Sequence, residues 1–152
     1  MNYLKRLKQS GEFEYSLGAN AEEIKHIEEE LGILLPEAYV NFLSECGSCN
    51  YGDVYINGIY KEKDSISYPV VELTKQLREK LHLSEDFIVL HYEVDEFLTL
   101  YKVSNRVRLK DAKVFEAEVF CNDKGDFEIE KPTPMFDSFE EYFEDFLDLA
   151  ED

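Results

Sequence analysis

NAEEIKHIEEELGILLPEAYVNFLSECG, residues 20–47, encodes two helices in one short stretch. Asn20 is a good N-cap, and Glu23 stands three residues on, where a capping-box carboxylate reaches back to the cap's own N–H. Ile24, Ile27 and Leu31 fall on one stripe, and Gly32 follows where a left-handed residue closes a helix. The spacing therefore predicts a helix over Ala21–Leu31. After the connection Gly32–Leu35, Pro36 fits the first position of a second helix, where no N–H is needed. Tyr39, Phe42, Leu43 and Cys46 then recur at helical spacing, and Gly47 supplies the stop. So short a connection predicts a helical hairpin with both stripes facing a common core.

Outward from this pair, Asn2–Gln9 reads as a short helix ended by Ser10-Gly11, and Phe13, Tyr15 and Leu17 alternate with Glu14 and Ser16 as an extended lead-in. Downstream, Val54 and Ile56 alternate with Tyr55 and Asn57, the pattern of a half-buried strand. Pro69–Leu81 presents Val70, Leu73, Leu77 and Leu81 on one helical face. Phe87–His91, Phe97–Lys102, Val114–Phe120 and Phe127–Glu130 are strands rich in aromatic and branched residues. Ser138 and Glu141 predict a capping box for a last helix that buries Phe139, Tyr142, Phe143, Phe146 and Leu147. No repeat, low-complexity tract or linker divides residues 1–152, so one domain is expected. Its class is α+β: a mainly antiparallel sheet with an N-terminal helical hairpin and a C-terminal helix packed on it.

Composition narrows the function. The 152 residues hold 16 Lys+Arg against 34 Asp+Glu, a net charge of −18 with pI ≈ 4.5. A hydrophobic fraction of 44%, with 11 Phe and 10 Tyr, is too high for a disordered acidic tail. Such charge argues against binding to nucleic acid or an anionic membrane surface and favours a basic partner. Met1–Gly11 lacks the apolar core of a secretory signal, no apolar run is long enough to span a bilayer, and three cysteines do not suit a secreted disulfide scaffold. A soluble, cytoplasmic protein is expected.

No constellation for catalysis stands out. Cys46-Gly47-Ser48-Cys49 has the spacing of a zinc knuckle or redox pair, but a second pair is missing: only Cys121 and the scattered His26, His82 and His91 remain. Cys46 is better read as a core residue on the Tyr39/Phe42 stripe and Cys49 as a turn residue. No metal ligand set, cofactor or catalytic residue is expected, and nucleophile and phosphate-loop motifs are lacking.

The acidic hairpin is more informative. Asn122-Asp123-Lys124-Gly125 suits a type I turn closed by a left-handed glycine, which sets Val119 against Ile129 and Glu118 against Glu130. One face then carries Phe115, Ala117, Val119, Phe127 and Ile129. The other carries Glu116, Glu118, Glu128 and Glu130, with Phe120 as its apolar exception, and a one-residue slip would mix the two sets. A solvated face kept soluble by charge explains this pattern. So does a carboxylate patch awaiting Lys or Arg from a partner, which Glu93 and Asp95 in the preceding turn would extend.

Gly18-Ala19-Asn20, the acidic helix ending at Gly32, and Leu35-Pro36-x-x-Tyr39-x-x-Phe42-Leu43 with Gly47 resemble the N-terminal signature of the SUKH superfamily. Phe136-Asp137-Ser138-Phe139-Glu140-Glu141-Tyr142-Phe143 resembles its closing helix. That superfamily includes fungal cell-wall-assembly regulators and many bacterial immunity proteins. The resemblance implies a non-enzymatic immunity (antitoxin) protein that binds a cognate polymorphic or contact-dependent toxin, often a nuclease, through that toxin's basic surface. The fungal members imply an alternative, a regulatory or scaffolding adaptor for a basic housekeeping protein.

Overall fold

The computed structural model describes residues 1–151, and its helices begin where the sequence supplies caps. Asn2 accepts the Lys5 N–H at 3.0 Å and opens α1 (Tyr3–Ser10). The lead-in forms β1 (Glu14–Tyr15). At α2 (Ala21–Leu31) the capping box closes in both directions, at 2.9 Å from the Glu23 N–H to the Asn20 side chain and 2.8 Å from the Asn20 N–H to the Glu23 carboxylate. Gly32 ends that helix at φ 67°. The next helix, α3 (Glu37–Cys46), starts one residue later than expected: Pro36 has ψ 148° and is the cap, not the first helical residue. The N–H groups of Glu37 and Ala38 donate instead to the carbonyls of Leu109 and Lys110, so a distant loop caps this helix. The α2 and α3 stripes enter one core as expected, but α3 lies alongside α1, and α2 alongside α4.

Three short strands, β1, β2 (Cys49–Tyr51) and β3 (Val54–Ile56), form a small antiparallel sheet in that order. Cys49 therefore sits in a strand and not in a turn, because its pairing with Tyr15 and Ile56 extends the chain directly after Gly47. β4 (Tyr60–Lys61) and β5 (Ile66–Ser67) pair as a second small ribbon ahead of α4 (Pro69–Lys80). The main sheet contains β6 (Phe87–Glu93), β7 (Phe97–Lys102), β8 (Val114–Cys121), β9 (Phe127–Ile129) and β10 (Thr133–Phe136). Its order is β10-β8-β7-β6, with β9 on the rest of β8, all antiparallel. The β8–β9 register is the one the turn chemistry predicts: Val119 faces Ile129, the Asn122 N–H reaches the Asp126 carbonyl at 2.8 Å, and Gly125 has φ 85°. β10 was not expected. Pro134 interrupts its pattern, and proline is tolerated there because the strand is an edge. α5 (Phe139–Leu147) follows. Its capping box forms in one direction only: Ser138 accepts the Glu141 N–H at 3.1 Å, while the Glu141 carboxylate takes the Asp137 N–H instead of the cap's own.

Two packed clusters hold the sheet. Under α4, Leu77, Phe87, Val89, Leu98, Leu100, Ala117 and Val119 cover one face. The opposite face contributes Ile88, Tyr101 and Val114 to the larger core of α1, α2, α3 and α5. Phe139 is central there, with ring centroids of Tyr3, Tyr39, Phe42, Tyr101 and Tyr142 at 5.3–6.0 Å. Offset and edge-on rings at this range are attractive beyond their area burial. Asp111 fixes the entry to α5 by accepting hydrogen bonds from the Tyr101 hydroxyl (2.7 Å), the Ala112 N–H (2.7 Å) and the Phe139 N–H (2.8 Å). Arg6 on α1 grips Glu144 on α5 through both terminal guanidinium nitrogens, Nη1 and Nη2.

Candidate functional site

The sheet face that joins the larger core is only half covered. Along β8, Val114 is 1% exposed against α5, Glu116 is half-buried, and Glu118 stands in solvent. Pairing builds two rows across that open half. His91 faces Thr99, Thr99 faces Glu116, and Glu116 faces Thr133. In the next row Glu93 faces Phe97 and Phe97 faces Glu118, while the Glu130 N–H donates to the Glu118 carbonyl at 2.9 Å. Glu93, Glu116, Glu118 and Glu130 are thus brought to one face from separate stretches of chain.

Asp95 divides from them, while Glu128 keeps the hairpin face of Glu118 but also borders a second groove. Asp95 lies in the β6–β7 turn at φ 63° and borders a groove between α4 and the β8–β9 hairpin, along with Leu73, Tyr92 and Phe127. Glu128 pairs opposite Phe120, and from its position on the edge strand it borders that same groove.

Carboxylates on the open face lack close ion pairs, although Lys131 borders the same cleft as Glu116, Glu118 and Glu130. Among the described residues, Glu116, Glu118, Glu128 and Glu130 take part in no ion pair. Glu93 meets only His91, whose Nε2 is 3.0 Å away. The buried His91 ring also accepts the Tyr55 N–H at Nδ1 (3.3 Å), so its proton belongs on Nε2, donated to Glu93. The bond from Tyr55 ties β3 to β6, and the bond to Glu93 fixes where that carboxylate lies.

Between this face and α5 runs an apolar groove whose wall includes Phe97, Phe136, Tyr142 and Phe146. Val54, Met135 and Leu149 border it at 36%, 52% and 42% exposure, and Glu93, Glu116 and Asp145 form its acidic margin. Alternation in β7 marks Phe97 and Thr99 as facing one way. The pairing of β7 with β8 crosses the long loop 103–113, however, and carries no local signal that would have placed them beside the glutamates.

Other candidate chemistry has structural explanations. Cys46 and Cys49 are buried free thiols, and burial pushes the Cys46 thiol up to about 12 and that of Cys49 well above its ordinary value. Neither is a reactive thiolate at neutral pH. Among the described residues, no group of three or more His, Cys, Asp or Glu has a metal-holding arrangement, and no helix is long and apolar enough to cross a membrane.

No characterised protein matches the chain. The family described as SMI1 / KNR4 family (SUKH-1) matches over residues 18–145, from just ahead of the α2 cap into α5, a span that contains every strand of the glutamate face. On that match the chain belongs to the SMI1/KNR4 (SUKH-1) family.

Proposed function

We propose that this protein is a non-enzymatic immunity protein of the cytoplasm that neutralises a cognate toxin by one-to-one binding, covering a basic substrate site such as that of a nuclease. Membership of the SUKH-1 family supports a binding role. The observation that carries the reading is the open half-sheet, where Glu116, Glu118 and Glu130 stand side by side and, among the described residues, no cation lies within ion-pair distance of them. Like charges set next to one another on a sheet weaken it. A basic partner would relieve that repulsion, and the −18 net charge would speed its approach.

The test starts from the adjacent reading frame, which this reading expects to encode a toxin domain, and co-expresses that domain with this protein. The wild-type chain is expected to protect the cell. The variant E116Q/E118Q/E130Q is expected to lose protection, with an association rate at low salt down roughly tenfold or more. Unchanged protection by that variant would remove this face from the account. A deletion phenotype in cells that carry no toxin would favour the adaptor reading instead.

A further inference from the structure

Carboxylates alone attract any basic protein, so the glutamate face by itself does not explain how one partner is chosen. We infer that the apolar groove between this face and α5 selects the partner, by taking one large aliphatic side chain that the partner carries between Lys or Arg residues. The inference rests on the immunity reading above and identifies what its site recognises.

Three exposed apolar side chains from separate elements meet at this groove: Val54 from β3, Met135 from β10, and Leu149 from the turn after α5. Scattered exposed apolar residues are ordinary, but a contiguous set over an apolar wall marks a contact site. The wall is firm, since Tyr142 and Phe146 are buried on α5 and stand on the aromatic core. The margin supplies the second half of the specification. Glu93, Glu116 and Asp145 border the groove, and none forms an ion pair with Lys or Arg among the described residues. An acidic or polyanionic ligand is repelled by that margin, and an uncharged apolar ligand leaves its carboxylates without counter-charge. A cationic segment with an aliphatic residue at its centre satisfies both. Its apolar contact excludes water, so the flanking ion pairs form in a lower dielectric than on an open surface. Charge then governs how fast the partner arrives and the groove how long it stays.

The experiment titrates the isotope-labelled full chain, followed by NMR, with three synthetic peptides: acetyl-Lys-Arg-Leu-Arg-Lys-amide, the same peptide with Gln at its centre, and acetyl-Gln-Gln-Leu-Gln-Gln-amide. The cationic leucine peptide is expected to bind roughly fivefold tighter than its glutamine counterpart, the gain from partly burying one leucine side chain. Its shifts should centre on Val54, Met135 and Leu149. The advantage should persist in about 0.5 M salt, where the binding common to both cationic peptides fades. The variant M135S/L149S changes exposed side chains only, and its melting curve verifies the fold. It is expected to abolish the leucine advantage while leaving the glutamine peptide's affinity unchanged. Equal affinity of the two cationic peptides on this face would overturn selection by the groove and leave the electrostatic reading standing. Equal binding of the uncharged leucine peptide would overturn the role of the acidic margin. If neither cationic peptide perturbs Glu116, Glu118 or Glu130, both readings fail.

Discussion

Val114 and Glu118 lie on the same face of the same strand, yet one is sealed against α5 and the other stands in water. Tyr101 and Phe97 repeat the contrast on β7: the first is fully buried among aromatic rings, the second only partly covered. Both halves have the same backbone pairing. What differs is the cover, because α5 and its aromatic stripe extend over one half only. The covered half carries residues whose loss opens a cavity. The other half carries Glu116, Glu118 and Glu130, which form no ion pair among the described residues, and this is where a surface is free to be shaped by a partner.

The strongest way to break this contrast is to damage the covered half. Phe139→Ala removes the ring that touches five others and should cost about 3–5 kcal/mol in urea unfolding. A loss under about 1 kcal/mol would mean the aromatic core is loosely packed and the two halves are not distinct. Asp111→Ala attacks the same region through polar groups, leaving the Tyr101 hydroxyl and the Phe139 N–H without their acceptor. It should cost about 2 kcal/mol, measured in the same way. Tyr101 also carries a strongly raised pKa, first from burial and then from its bond to Asp111, so its phenol remains a donor throughout the neutral range.

How much of this was legible in the sequence follows from range. The α2 capping box, its glycine stop and the β8–β9 register all depend on residues within a few positions of one another, and each formed as its spacing required. Longer-range features did not announce themselves. Pro36 shifted from first helical residue to cap because the loop at Leu109 and Lys110 supplies acceptors for α3, a contact that spans some seventy positions. β10 was hidden because prolines argue against strands, and its register shift between Pro134 and Phe136 at Met135 has no pattern to predict it. For the site, alternation put Glu116, Glu118, Glu128 and Glu130 on one face of the hairpin. Only the β6–β7–β8 pairing separates Glu93, which joins that face, from Asp95, which does not. The extent of the α5 cover, which creates the groove, is a property of the assembled fold alone.

A smaller effect belongs to α2, remote from the glutamate face, and calibrates it. Burial pushes the Glu23 carboxyl up, but the Asn20 N–H and the Lys61 ammonium outweigh it and hold the group below its ordinary value of 4.5. Glu23→Gln should cost about 1 kcal/mol at neutral pH. Because the folded pKa lies below the unfolded one, that contribution is present in full above the ordinary carboxylate range and is lost as the pH falls through the folded value. The gap between wild type and E23Q should therefore be widest near pH 7 and close in acid. A gap that widened in acid would mean that Lys61 and the cap do not favour the charged form.

The smallest expected change is the one that separates scaffold from site. In E116Q/E118Q/E130Q, relief of like-charge neighbours should raise stability by a few tenths of a kcal/mol at low salt, and the gain should vanish as salt is added. The same substitutions are expected to weaken partner binding. Opposite signs in the two measurements would identify residues retained at a cost to the fold, the pattern of a stability–function trade-off. If the substitutions destabilise the protein instead, these carboxylates belong to the scaffold, and the uncovered half of the sheet needs no partner to explain it.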